Sequence, residues 1–144
     1  MLVHSRMSSP AIIVRPDTSF QKALALMQEH GIRRVPVVDE RGGLAGIVAQ
    51  RDLLIAALRY LQSRVDVSEV MARSVIIATP DMSLSRVARL MIDNKVGGLP
   101  VVEGGKVVGM ITESDIFRCF VELHDASLDV AVTRPARVQS RTRM

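Results

Sequence analysis

The segment Gly109-Met110-Ile111-Thr112-Glu113-Ser114-Asp115 runs from a β-rich stretch into a helix start. A threonine at a strand's end has a hydroxyl free to donate to an anion. Asp115, one helical turn later, offers a carboxylate that can accept from two vicinal hydroxyls, as a ribose presents. The helix N-terminus adds free N–H groups and a dipole favourable to phosphate. Together these groups would hold a sugar phosphate. Thr and Asp at a helix start are also ordinary caps, and the motif alone leaves both uses open. A related segment, Gly46-Ile47-Val48-Ala49-Gln50-Arg51-Asp52, keeps the aspartate but has Ala49 in place of the threonine.

Other chemistry is hard to build from these residues. His4, His30 and His124 are scattered, and no HExxH, GxSxG or phosphate-binding GxxxxGK[ST] loop occurs. The acids are spread over turns and helix surfaces, so no carboxylate pair stands out for acid–base work. Neither a catalytic residue nor a metal site is expected. Cys119 is the only cysteine, so no internal disulfide can form, which fits a reducing, cytoplasmic compartment. Its neighbours Phe117, Phe120 and Val121 mark it as a packed core thiol. The first residues, Met1 to Arg6, lack a signal-like apolar stretch, and the run Leu53 to Leu58 is far too short to span a membrane.

The elements that would position the motif come in two copies. Pro16-Asp17-Thr18-Ser19 matches Pro80-Asp81-Met82-Ser83 at an offset of 64. The offset persists through Leu26/Leu90, Met27/Met91 and Pro36-Val37-Val38/Pro100-Val101-Val102, with eight of 23 positions identical from residue 16 to 38. One deletion in the next turn shifts it to 63, linking Gly46 to Gly109 and Asp52 to Asp115. Similarity that continues past a turn indel is the mark of tandem duplication.

Ser19 and Ser83 read as N-caps. Leu84, Val87, Ala88, Met91 and Ile92 form a helical apolar stripe, and Phe20, Ala23, Leu24 and Met27 repeat it. Hairpins follow at 35–38 with 44–48 and at 99–102 with 107–112, around Gly-rich turns. Second helices begin near Arg51 and Ser114, and short strands at 12–14 and 75–77 precede the first helices. The expected fold is mixed α/β, two βαββα-type repeats spanning 1–62 and 63–125. One such unit is too small to stand comfortably alone, so the two are expected to pack sheet to sheet around a shared interior.

The net charge of +4 is misleading until it is located. Arg134, Arg137, Arg141 and Arg143 lie in the last eleven residues without an acid, leaving residues 1–133 formally neutral. The basic pI belongs to a tail, 126–144, that reads as solvated chain. Nucleic-acid binding is not expected, since aromatics are only 3% and stacking platforms need exposed rings.

A duplicated unit with Pro-Asp-x-Ser, a Pro-Val-Val strand and Gly-x-x-Thr-x-x-Asp resembles a pair of cystathionine β-synthase (CBS) domains. The resemblance covers about 120 residues. It implies a pseudo-twofold module whose clefts bind adenosyl compounds such as AMP, ADP, ATP or S-adenosylmethionine, with AMP first. It also implies a flat homodimer, and a role in reporting ligand occupancy to a separate regulated protein. Each cleft would take its Thr/Ser and Asp from one copy and its base-facing segment from the other. Thr112 and Asp115 would then face Ile32, Arg33 and Arg34, with Arg15 and Phe20 nearby and Arg34 reaching phosphate. The second cleft would use Asp52 with Thr79, Leu84, Val96, Gly97 and Gly98. Lacking a hydroxyl at 49 and arginines at 97–98, it is expected to be the weaker, by about 2 to 4 kcal/mol. A dimerisation scaffold with decayed clefts is the competing expectation.

Overall fold

The computed structural model describes residues 1–59 and 64–125. The Arg-rich tail and part of the joining segment lie outside the described residues. Each of two hairpins is flanked by a pair of α-helices among the described residues: α1 (Phe20–His30), β1 (Arg34–Val38), β2 (Leu44–Ala49), α2 (Gln50–Arg59), α3 (Leu84–Asn94), β3 (Gly98–Glu103), β4 (Lys106–Thr112) and α4 (Glu113–Asp125). Each hairpin is a two-stranded antiparallel sheet, β1 with β2 and β3 with β4. The mixed α/β fold and its repetition are as the sequence implies.

Local chemistry explains each boundary. The Ser19 hydroxyl accepts from the Lys22 N–H at 3.3 Å, and the Ser83 hydroxyl from the Arg86 N–H at 3.2 Å. Gly104 and Gly105 both have positive φ, as a two-residue hairpin turn requires. In the longer first turn, the Asp39 carboxylate accepts from the backbone of Arg41 and Gly43 at 2.9 and 2.8 Å.

The strands expected at 12–14 and 75–77 shrink to single parallel bridges, Val14 to Val37 and Ala78 to Val101. Prolines set the limit. Val14 donates to the Pro36 carbonyl and accepts from the Val38 N–H, and Ala78 does the same between Pro100 and Val102. A longer parallel strand would next need an N–H from Pro36 or Pro100, which proline lacks.

The expected shared interior is also corrected. Buried side chains form two clusters, one per copy, because each sheet is covered by its own helices and by an arm from elsewhere in the chain. Val3 and Met7, from the N-terminal arm, pack in the copy 2 cluster; Val65, Val67 and Met71 pack in that of copy 1. The arms are bonded symmetrically. Ser8 and Met110 exchange backbone hydrogen bonds at 2.9 and 3.0 Å, and Ala72 and Ile47 at 2.9 and 3.0 Å. Each copy's sheet is therefore completed by the arm that precedes the other copy in sequence.

The exchanged arms explain the first glycine of each motif. A Cβ at Gly109 would stand 2.7 Å from the Ser8 carbonyl oxygen, and one at Gly46 would stand 2.6 Å from that of Ala72. Met7 and Met71 sulfurs crowd the same two points at 2.8 Å. Only hydrogen fits there.

Cys119 is buried, as expected, with its Sγ 3.3 Å from the Met1 Sδ. The neighbours that suggested this do not share its setting: Phe117, Phe120 and Val121 are exposed. Helical geometry turns residues one and two places away from a buried position toward other faces.

Candidate ligand-binding cleft

Each motif sits where a hairpin passes directly into a helix. Thr112 ends β4 and is opposite Gly98, while Ala49 ends β2 and is opposite Arg34. The junctions are held alike: the first helical N–H, of Glu113 or Gln50, donates to the carbonyl of Gly97 or Arg33 at 3.0 or 2.8 Å. The segment before each first strand and the start of each second helix are thereby fixed together.

Asp115 is 9% exposed. Its Oδ2 accepts from the Thr112 N–H at 2.9 Å and from the Thr112 hydroxyl at 3.0 Å, and Arg118 Nη1 lies 3.4 Å from Oδ1. The capping use of this pair, left open by the motif, is thus present in the structure. Binding capacity is retained, because an ionised carboxylate has about four acceptor positions and Oδ1 has only the long contact to a largely exposed arginine. Asp52 differs. It is half-buried in the first turn of α2, and no hydrogen bond or ion pair reaches its carboxylate among the described residues.

Arg34 joins the copies. From β1 it extends over Gly97 and Gly98: its Nη2 lies 2.7 Å from the position a Gly97 Cβ would occupy, and its Cδ 3.3 Å from that of a Gly98 Cβ. The Glu113 Oε1 is 3.0 Å from the same Gly97 point, and the Thr112 Cγ2 is 3.5 Å from the Gly98 point. The Arg34 guanidinium has no hydrogen bond or ion pair among the described residues and is half-buried. It opens onto a cavity of about 470 Å³ walled by α3 and α4, through Met91, Ile92, Ile116 and Phe117. Of the residues lining that cavity, Arg34 alone comes from copy 1.

The other expected residues are dispersed. Arg33 is exposed, and Ile32 packs partly buried against the copy 1 core. Arg15 donates from its guanidinium to the Asp39 carbonyl, which draws it to the first hairpin turn. Phe20 is 4% exposed inside the copy 1 core, and Leu84 lies in the copy 2 core. Thr79 donates its hydroxyl to Asp81 Oδ1 at 2.7 Å, a bond that holds the Asp81 carboxyl below its usual range. Val96 and Gly97 line the cavity. Glu113, Lys95, Ile92 and Phe117 escaped the sequence reading. Glu113 stands inside the motif at one of its variable positions, and the others are separated from it along the chain, so only the packing of α3 on α4 assembles them.

Among the described residues, no group of His, Cys, Asp or Glu could hold a metal ion, and no helix is long and apolar enough to cross a membrane.

The CBS domain model matches the chain twice, over residues 3–59 and 67–122. The chain is 30% identical over 115 residues to the CBS domain-containing protein YhcV of Bacillus subtilis, covering 79% of this chain and 81% of that one. It is 35% identical over 120 residues to the L-aspartate semialdehyde sulfurtransferase of Methanocaldococcus jannaschii, but spans only 23% of that protein's length. Among solved structures it is similar to the CBS domain pair of protein MJ0100 in complex with 5′-methylthioadenosine and S-adenosyl-L-methionine. There the TM-score is 0.79 at 33% identity, covering 85% of this chain and 98% of that one. A second likeness is to CBSX2 in complex with AMP, with a TM-score of 0.76 at 28% identity over 85% of this chain and 98% of that one. Motif, fold and both repeats agree: the chain belongs to the CBS domain family, as a tandem pair.

Proposed function

We propose that this CBS pair is a regulatory, non-catalytic module that binds an adenosyl nucleotide, AMP first, and relays its occupancy to a partner protein in the cytoplasm. The observation that carries this is the placement of the Arg34 guanidinium from copy 1, without a partner among the described residues, beside the Thr112–Asp115 junction of copy 2. A charge-assisted bond from arginine suits phosphate, Thr112 can donate to it once its hydroxyl turns from Asp115 Oδ2, and Asp115 Oδ1 can accept from a ribose. Ile32 and Arg33 would flank the base. That similar CBS pairs hold AMP or S-adenosyl-L-methionine with 5′-methylthioadenosine supports this class of ligand.

The two clefts are unequal in this reading. Thr112 and Asp115 form the tighter one; Asp52, with no hydroxyl at Ala49, forms the weaker. Ligand binding stabilises the native state by an amount that grows with the logarithm of free ligand over its dissociation constant, so a thermal-shift panel of AMP, ADP, ATP, S-adenosylmethionine and 5′-methylthioadenosine tests the proposal. AMP at a hundredfold excess over its dissociation constant should add about 2.7 kcal/mol. No shift with any adenosyl compound would instead favour the scaffold reading, in which the clefts are vestigial.

Self-association is part of the proposal. Leu58 is 80% and Ile92 75% exposed, and Phe117 and Phe120 stand outward on α4. Such apolar helix faces suit a second copy related by a twofold axis. Sedimentation should give a dimer that Phe117→Asp combined with Phe120→Asp reduces to a monomer.

A further inference from the structure

We propose that two chains pair copy 1 on copy 2, each seating the exposed apolar stripe of its α2 in the groove between α3 and α4 of the other. This rests on the reading above that the chain self-associates, and it fixes which faces meet. A twofold axis then gives two identical seats.

The two copies offer unlike surfaces. On copy 2 the cavity of about 470 Å³ opens between α3 and α4, and its wall residues Ile92 and Phe117 are largely exposed. At the equivalent positions copy 1 has Gln28 and Leu54. α2 buries Leu53 and Ala56 and exposes Leu54, Ile55 and Leu58. Leu58 lies three and four residues after the other two, so the three share one side of the helix. Copy 1 therefore carries an aliphatic ridge and copy 2 an apolar socket, and helices pack by setting ridges into grooves.

Charge separates the surfaces in the same sense. Arg51 stands three residues before Leu54, and Arg59 four after Ile55, so a guanidinium lies at each end of the α2 stripe. Glu113 stands four before Phe117, and Asp125 four after Val121, so a carboxylate lies at each end of the α4 stripe. All four are exposed. At the equivalent of Arg59 copy 2 has Glu122, already paired with Arg6, and Arg118 of α4 is held 3.4 Å from Asp115. Each stripe has one sign at both ends. α2 on the α4 of a second chain thus opposes arginine to carboxylate whichever way the helices run. α2 on α2, or α4 on α4, opposes like charges at both ends. Arg34 and Lys95 also line the cavity, but there the α2 stripe brings aliphatic groups and not its arginines.

Sedimentation equilibrium of the full chain tests the pairing with Leu58→Asp and Phe117→Asp, apart and mixed. Both side chains are exposed, so circular dichroism of each variant should match that of the unmodified chain. Leu58 and Phe117 occur in both seats, so each variant alone should be monomeric where the unmodified chain is a dimer. An equimolar mixture should regain a dimer, because Phe117 of the first variant and Leu58 of the second rebuild one seat. Arg59→Glu should weaken the dimer by roughly fivefold. A like-with-like dimer would be indifferent to it, since one pair of like charges replaces another. Variants that each remain dimeric, or a mixture that stays monomeric, would overturn the pairing and leave self-association standing. An unmodified chain that is monomeric at every concentration would remove self-association, and the pairing with it.

Discussion

The two copies share a backbone plan and differ in what their junctions can grip. At β4–α4, a threonine and an aspartate are bonded to one another and the carboxylate is nearly buried. At β2–α2, Ala49 offers no hydroxyl and Asp52 has no partner among the described residues. Duplication preserved the frame, in which a helix N–H is fixed by the opposite pre-strand carbonyl and the sheet is completed by an exchanged arm. Side chains not needed for that frame have diverged, and the divergence falls on positions that the proposed function assigns to the ligand. The lesson is that fold and binding chemistry are separable here.

The comparison can be broken most forcefully at the glycines. Gly46→Ala and Gly109→Ala should each destabilise the protein by about 3 kcal/mol, since each methyl meets an arm carbonyl that cannot retreat cheaply. Thermal or urea unfolding checks this, and a silent change at either site would show that the arms are not equivalent.

Next come the aspartates. Asp115→Ala should weaken AMP by about 2 kcal/mol, roughly thirtyfold, and should lower the unliganded melting temperature through loss of the Thr112 bonds. Asp52→Ala should leave both the first AMP affinity and that melting temperature unchanged, because its carboxylate has no partner among the described residues. Calorimetry and thermal unfolding of the pair sharpen the contrast, and equal losses would erase it.

Ala49→Thr tests whether the missing hydroxyl causes the inequality. Binding of 5′-methylthioadenosine at the weaker cleft should change little, whereas AMP should gain about 1 kcal/mol there, roughly fivefold. The smallest effect concerns helix ends. α1 terminates in Gly31 at φ 62°, but α3 terminates in Lys95 at φ 53°. Lys95→Gly should stabilise the fold by up to about 1 kcal/mol, read as a rise in melting temperature.

Much of this was legible in the chain itself. Serine caps, helical stripes, Gly-rich turns and a repeat at a steady offset are local signals, and the elements they mark are present within a residue or two. The single-bridge limit at Val14 and Ala78 was less legible, because Pro36 and Pro100 act through the hydrogen bond a neighbouring segment would have needed. Arm exchange was invisible, since pairing Ser8 with Met110 spans nearly the whole sequence and carries no periodicity. The same holds for Phe20 and Leu84, whose apolar character suits a cleft wall and a core equally well.

For the candidate site, the sequence by itself determined which groups are available: a hydroxyl and carboxylate one helical turn apart in copy 2, the carboxylate alone in copy 1, and arginines opposed to glycines. Tertiary structure decided where the charge resides. Backbone chemistry is set by neighbours along the chain, but a long flexible side chain settles wherever space and solvation favour it. Arg34 found that space across the pseudo-twofold axis, above two glycines of the other copy.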